Sequence, residues 1–262
     1  MNVTLLLMGF GIGLLIGFTG VGGAALVTPL LILFFGVRPV IAVGSDLMYG
    51  AITKIVGAWI YCRQGMVDFR TVKCLAYGSI PGNILGIAII FQLQRHGLNA
   101  DEYVRRAIGF MLILVAAVLL THYFGGHRNK WLQTPTKAIR SLRRSRWQGL
   151  AITLWGAFVG FAVGFTSVGS GSLVLPFLMV LYPLAPAKAV GTDIFHAVIL
   201  LSVSAFAHLN IGTVDWSLVF TLLIGSVPGV ALGSCLAPHL PARHLRVGLA
   251  IVVMFSGTKL LF

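Results

Sequence analysis

Gly17-Phe18-Thr19-Gly20-Val21-Gly22-Gly23 returns 147 residues later as Gly164-Phe165-Thr166-Ser167-Val168-Gly169-Ser170. Outward from these stretches the register holds without a gap, residues 17–86 falling on 164–233 with roughly 40% of positions identical. Pro29 meets Pro176, and Val43-Gly44-Ser45-Asp46 meets Val190-Gly191-Thr192-Asp193. Further on, Val67-Asp68 meets Val214-Asp215, and Ser79-Ile80-Pro81-Gly82 meets Ser226-Val227-Pro228-Gly229. The chain is an internal duplication, so a reading of one half has to suit the other.

Both glycine-rich stretches interrupt apolar sequence in a chain that is apolar almost throughout. Of 262 residues 58% are hydrophobic and 10% charged, and the mean hydropathy is +0.96, far from the composition of a soluble domain. This is a membrane protein. Spans long enough to cross a bilayer as helices run through 40–61, 71–93, 103–122, 187–208, 217–236 and 245–262. The apolar stretches 2–36 and 148–183 are too long for one span, and the arms after their breaks hold only about 12 residues, ~18 Å or half a bilayer. Both are therefore predicted to be re-entrant helical hairpins with tips near the membrane centre.

Charge sets the orientation. Arg63, Arg70 and Lys73 follow the first-repeat span, whereas the equivalent segment 209–217 has no Lys or Arg and carries Asp215. Equivalent loops of opposite character belong on opposite sides of the membrane. The predicted fold is an all-α integral membrane protein of two inverted-topology repeats, each a re-entrant helical hairpin plus three transmembrane helices. Residues 1–122 form the first repeat, 123–147 a basic cytoplasmic loop, and 148–262 the second repeat. Both termini then lie outside, and the Arg95/Arg105/Arg106 loop is the one misfit to the charge rule. The first basic residue is Arg38, so the opening apolar run is expected to stay in the mature protein rather than act as a signal peptide.

Composition also excludes. A net charge of +13 suggests nucleic acid, but seven of the 19 Lys/Arg lie between Arg128 and Arg146, where the positive-inside rule explains them; no nucleic-acid partner is expected. Only six acidic residues are present, too few for most carboxylate-based metal or acid–base chemistry. Cys62, Cys74 and Cys235 show no CxxC or Cys/His ligand spacing, so no metal, cofactor or disulfide framework is expected.

Inverted repeats with broken helices near the midplane are the architecture of secondary transporters. The helices after the breaks are expected to begin near Ala24 and Ser172, turning free N–H groups and positive dipole ends toward the tips. That is an anion site in outline. The candidate substrate-binding residues are Thr19, Gly20, Val21, Gly22 and Gly23 at the first tip. At the second they are Thr166, Ser167, Val168, Gly169, Ser170, Gly171 and Ser172. The alternative is that these glycines serve close helix packing, with no ligand.

Asp46 and Asp193 stand inside their spans, where an ionisable group is a functional-site hypothesis by default. Each is a candidate proton-coupling residue or, alternatively, a helix cap. Lys54, two turns beyond Asp46 and aligned with Leu201, is read as meeting the anion or neutralising a carboxylate; the alternative is snorkelling to the interface. His196 follows Asp193 by three residues and aligns with Tyr49, either pairing with Asp193 to carry a proton or standing as a satisfied histidine. Asp68 and Asp215 read as N-caps, Pro81-Gly82 and Pro228-Gly229 as kinks. Trp59, Tyr61, Trp131, Trp147 and Trp216 read as an interfacial aromatic belt.

On Gly17 to Gly23 with Pro29, their echo at 164–176 and the paired Val-Gly-Ser/Thr-Asp segments, the chain resembles the sulfite exporter TauE/SafE family of bacterial membrane permeases. The resemblance spans nearly the whole chain. It implies transport, and specifically export, of small sulfur-containing anions such as sulfite or a sulfonate across the cytoplasmic (inner) membrane. In the second repeat the glycine pair common to the family is Ser170-Gly171, shifted relative to Gly22-Gly23. The expected activity is that of an ion-coupled secondary carrier, with the lipid bilayer and a small anion as partners and homodimerisation left open. A passive anion channel or an importer on the same fold is the competing reading; an intramembrane enzyme is disfavoured because no nucleophile stands beside a base in the sequence.

Overall fold

The computed structural model describes residues 3–19, 23–124, 147–181, 184–236 and 242–262. Within them the chain is helical, with no strand. The first half holds α1 (Val3–Thr19), α2 (Ala24–Phe35), α3 (Pro39–Arg63), α4 (Phe69–Arg95) and α5 (Ala100–Phe124). The second holds α6 (Trp147–Thr166), α7 (Val174–Leu181), α8 (Pro186–Ile211), α9 (Trp216–Leu236) and α10 (Ala242–Leu261). Among the described residues six stretches are long and apolar enough to cross a membrane: Pro39–Arg63, Phe69–Arg95, Ala100–Leu120, Gly149–Thr166, Ala187–Ile211 and Trp216–Gly233.

That set differs from the expected one at two places. Gly149–Thr166, expected as the first arm of a hairpin, is long enough to cross unaided, whereas the predicted span at 245–262 supplies only the shorter apolar stretch Val247–Leu261. The arm after the second break is also shorter than expected, because a turn occupies Ser170 to Leu173 before α7 begins at Val174. In the first half the helix after the break begins at Ala24 as expected. The basic loop falls almost wholly on residues 125–146, outside the described residues, as does Trp131.

Local chemistry explains the helix limits. Pro39 and Pro186 open α3 and α8 at the first helical position, where a missing N–H costs nothing and φ is already helical. Gly36 (φ +62°) and Gly212 (φ +77°) close α2 and α8 in the left-handed conformation that a Cβ disfavours. Asp215 caps α9, its Oδ1 accepting from the N–H groups of Ser217 at 2.8 Å and Leu218 at 3.2 Å. Asp68 holds the same position on α4 but accepts from the Thr71 hydroxyl at 2.5 Å instead of a backbone N–H. Asp215→Ala is therefore expected to cost about 1 kcal/mol. It should lower the melting temperature of the detergent-purified protein, while Asp68→Asn, which keeps the acceptor for Thr71, leaves it within a degree or so.

The main interfaces all join one half to the other: α4 packs on α6, α1 on α9, α3 on α8 and α5 on α10. Glycines bring the first two pairs to backbone contact. A Cβ on Gly78, Gly82 or Gly86 of α4 would lie 1.8, 2.2 or 2.7 Å from the carbonyl oxygens of Thr153, Ala157 and Phe161. From the other side, one on Gly156, Gly160 or Gly164 of α6 would lie 2.5, 2.0 or 2.4 Å from those of Leu75, Ser79 and Asn83. The duplicated pair repeats this, with Gly13 against Ser226, and Gly225 and Gly229 against Leu6 and Phe10. The Pro-Gly pairs expected to kink or unwind α4 and α9 do not unwind them, and their glycines are points of helix crossing. Small residues four apart let membrane helices approach this closely.

Candidate functional site

Asp46 is the eighth residue of α3 and Asp193 the eighth of α8. The helices start a full two turns earlier, at prolines, so neither carboxylate caps a helix or a break in one. Both are buried. The reason is that α3 and α8 pack on each other in the middle of the molecule, so residues on their facing sides are screened from lipid.

The second break folds onto Asp46. Ser167 Oγ donates to Asp46 Oδ2, and Thr28 Oγ1 of α2 donates to the same oxygen at 2.7 Å, leaving Oδ1 without a partner among the described residues. Ser167 adopts φ +65°, uncommon outside glycine, and is fully buried. A side chain held in that conformation marks a site where the surrounding structure over-determines the backbone. Gly169, at φ +122°, continues the non-helical path. The next residue is Lys54's partner: Lys54 Nζ donates to Ser170 Oγ at 3.0 Å. Lys54 does not snorkel to an interface. It lies within electrostatic reach of both Asp193 and Asp46.

Asp193 faces the far end of the same break, since a Cβ on Gly171 would sit 3.4 Å from its Oδ2. Its Oδ1 has no hydrogen-bond partner among the described residues. Of the two readings of His196, the pair with Asp193 is not formed: His196 Nε2 bonds Ser79 Oγ at 2.8 Å across to α4, and Nδ1 has no partner among the described residues. The structure therefore brings together Asp46, Ser167, Ser170, Gly171, Lys54 and Asp193, and adds Thr28. Val168 and Thr166 line the buried side of the break, Thr166 Oγ1 donating to Ala162 O and accepting from Val168 N–H. Of the first tip, Gly20, Val21 and Gly22 lie outside the described residues, as does the Thr19 side chain; Gly23 stands at the start of α2, accepting from the N–H groups of Leu26 and Val27.

The halves do not make equal sites. Thr28 aligns with Leu175, and Lys54 with Leu201. Thr28 was not singled out from sequence, although a hydroxyl one position before Pro29 in an otherwise apolar helix is a visible signal. Ser45 and Thr192, by contrast, act alike. Ser45 Oγ accepts from Asp215 N–H at 3.0 Å and Thr192 Oγ1 from Asp68 N–H at 2.9 Å, pinning each loop to the start of the opposite central helix.

A bundle of membrane-length helices closed around buried carboxylates, a lysine and a non-helical break is built as a polytopic membrane transporter. The chain belongs to the sulfite exporter TauE/SafE family, whose model matches residues 5–260. It is 40% identical to "Probable membrane transporter protein YjnA" of Bacillus subtilis strain 168 over 264 residues, covering all of both chains. Two more proteins of that strain, "Probable membrane transporter protein YunE" and "Probable membrane transporter protein YdhB", are each 24% identical. The alignments cover 99% of this chain and 97% of the first, and 98% of this chain and 99% of the second. No solved structure matches the chain. These names describe transporters and not enzymes.

Proposed function

We propose that this protein is a proton-coupled secondary carrier that exports a small sulfur-containing anion, such as sulfite or a sulfonate, across the bacterial cytoplasmic membrane. The observation that carries the reading is Lys54. A single cation hydrogen-bonded to the hydroxyl of a buried break, with two carboxylates in electrostatic reach, is a charge balance that an anion and a proton can both alter. With both carboxylates ionised, Lys54 is neutralised by its own neighbours. A proton on Asp46 or Asp193 frees that charge for the anion, and the two bindings become linked. Ser167, Ser170, the backbone of Val168 to Ser172 and the first tip then replace the anion's hydration. The direction, export, follows the family's description; because proton and anion travel together, export runs when the internal anion concentration outweighs the inward proton gradient, and an acid-outside gradient imposed without internal anion drives the same carrier inward.

The reciprocity of the central helices supports the inverted arrangement. The start of α3, at Gly44 and Ser45, meets Thr213 and Asp215 beyond the end of α8; the start of α8, at Gly191 and Thr192, meets Met66 and Asp68 beyond the end of α3. Helices related by the duplication thus run antiparallel side by side, and the operation that exchanges them turns the membrane over. With the basic 123–147 segment inside, the 62–74 loop is inside, 209–217 and both termini are outside, and the breaks enter as hairpins from opposite faces.

Lys54→Leu installs the residue that the second half carries at position 201. Removing one charge-assisted contact to the anion should raise the KM for labelled sulfite in proteoliposomes about tenfold. An unchanged KM in folded protein would take Lys54 out of the anion site.

A further inference from the structure

Along α8 and α4 runs a row of buried polar side chains that transport by the tip residues does not use. His196 Nε2 meets Ser79 Oγ at 2.8 Å; Asn83 Nδ2 donates to Ser204 Oγ at 2.6 Å; His208 Nδ1 meets Thr213 Oγ1 at 2.8 Å, with Nε2 3.4 Å from the Gly164 carbonyl. All six side chains are buried. Between these pairs every step is one helical turn: Asp193 to His196 on α8, Ser79 to Asn83 on α4, Ser204 to His208 on α8. A turn separates side chains by roughly 5–6 Å, the span of one water with a hydrogen bond on each side. Three atoms at these steps, Asp193 Oδ1, His196 Nδ1 and Asn83 Oδ1, are buried and unpartnered among the described residues. An unpaired buried polar atom is costly, and here three fall in one line.

The duplication supplies an internal control. Across the duplicated pair α3 and α9 the equivalent of Asn83–Ser204 is Val230–Gly57, and that of His208–Thr213 falls at Tyr61–Met66. Tyr49 and Ser226 replace His196 and Ser79, so this one step keeps a polar pair. The polar row is thus continuous between α8 and α4 and interrupted between α3 and α9.

We propose that this row is a one-sided proton path, leading from the end of α8 at His208 and Thr213 inward to the Asp193 carboxylate. The proton enters from water at the His208 end, passes between hydroxyl, imidazole and intervening water at each step, and comes to rest on Asp193; it leaves by the same carboxylate to the opposite side. Charged groups facing the row are Asp193 on α8 and, from α3, Lys54, which acts on both Asp193 and His196, with Asp46 behind it. α4 and α6 face it with Ser79, Asn83 and the Gly164 carbonyl. The proposal rests on the proton-coupled reading and adds to it the route and its sidedness.

The test uses proteoliposomes with a trapped pH dye and labelled sulfite, and two variants that install the residues found at the duplicated positions: Asn83→Val with Ser204→Gly, and His208→Tyr. Expected is at least a tenfold fall in sulfite-linked proton influx and in pH-driven accumulation, with sulfite exchange at zero gradient kept within about twofold. Wild-type proton influx in both variants would overturn the path, and so would loss of exchange together with influx in both, which would make the row a packing feature. Wild-type protein that moves no proton with sulfite would fail earlier, overturning the coupled reading and the path with it.

Discussion

Asp46→Asn is expected to leave a folded carrier that no longer accumulates its substrate. The amide keeps the size of the carboxyl and an oxygen able to accept from Thr28 and Ser167, so the contact between α2, α3 and the second break survives. It cannot take up or release a proton. With Asp46 permanently neutral, Lys54 stays partly freed whatever the state of Asp193, so anion binding no longer waits on the proton that Asp193 carries. Uptake driven by a pH gradient should fall by about two orders of magnitude, while exchange of labelled for unlabelled sulfite, which needs no net proton movement, persists. The measurement is paired uptake and exchange in the same proteoliposome preparation. Accumulation at the wild-type level in Asp46→Asn would show that this carboxylate is structural.

The second large effect is on folding. A Cβ on Gly78 would stand 1.8 Å from the Thr153 carbonyl oxygen, and one on Gly160 2.0 Å from that of Ser79. Both obstacles are backbone, which cannot rotate away, so Gly78→Ala or Gly160→Ala must separate α4 from α6 along its length. Overpacking of this kind costs roughly 1–3 kcal/mol, occasionally more, and outweighs the 0.5–1 kcal/mol that Ala gains over Gly inside a helix. Gly11→Ala, in open space on α1, keeps only the gain. Thermal unfolding in detergent should therefore fall clearly for the first two and hold or rise for the third. Equal melting of Gly78→Ala and Gly11→Ala would contradict the interlocked crossing.

Much of this architecture was legible because duplication doubles every signal. Pro39 and Pro186 begin equivalent helices, Gly65 and Gly212 turn equivalent corners, and Asp46 and Asp193 come out buried at equivalent depths. Hydropathy found the membrane character, but an apolar window does not say which part of a 35-residue stretch spans and which part returns; the structure moved that boundary in the second half, where α7 keeps only eight residues. The glycines were the harder lesson. Gly78, Gly82 and Gly86, and Gly156, Gly160 and Gly164, show the four-residue spacing of close helix crossings in plain sequence. Pro81-Gly82 instead suggested a kink.

Partner choice was the least legible feature. Sequence spacing put His196 beside Asp193 on one helix, but its Nε2 hydrogen-bonds to Ser79 from another, because α4 is brought against α8 by contacts that no local pattern encodes. Lys54 reaching Ser170, over a separation of 116 residues, belongs to the same class. What sequence did contain was the type of residue: an aspartate, a lysine or an asparagine in an apolar span needs a partner, and identifying it required the fold.

The central claim is coupled transport of a small sulfur anion through the break at Ser167 to Gly171. Its most direct measurement is the accumulation of labelled sulfite by wild-type protein in proteoliposomes under an acid-outside pH gradient, with and without a protonophore. The expected result is an internal concentration that rises above the external one and collapses to equality when the protonophore is added. Sulfite entry that stops at equal concentrations whatever the gradient, or no entry through folded protein, would contradict it.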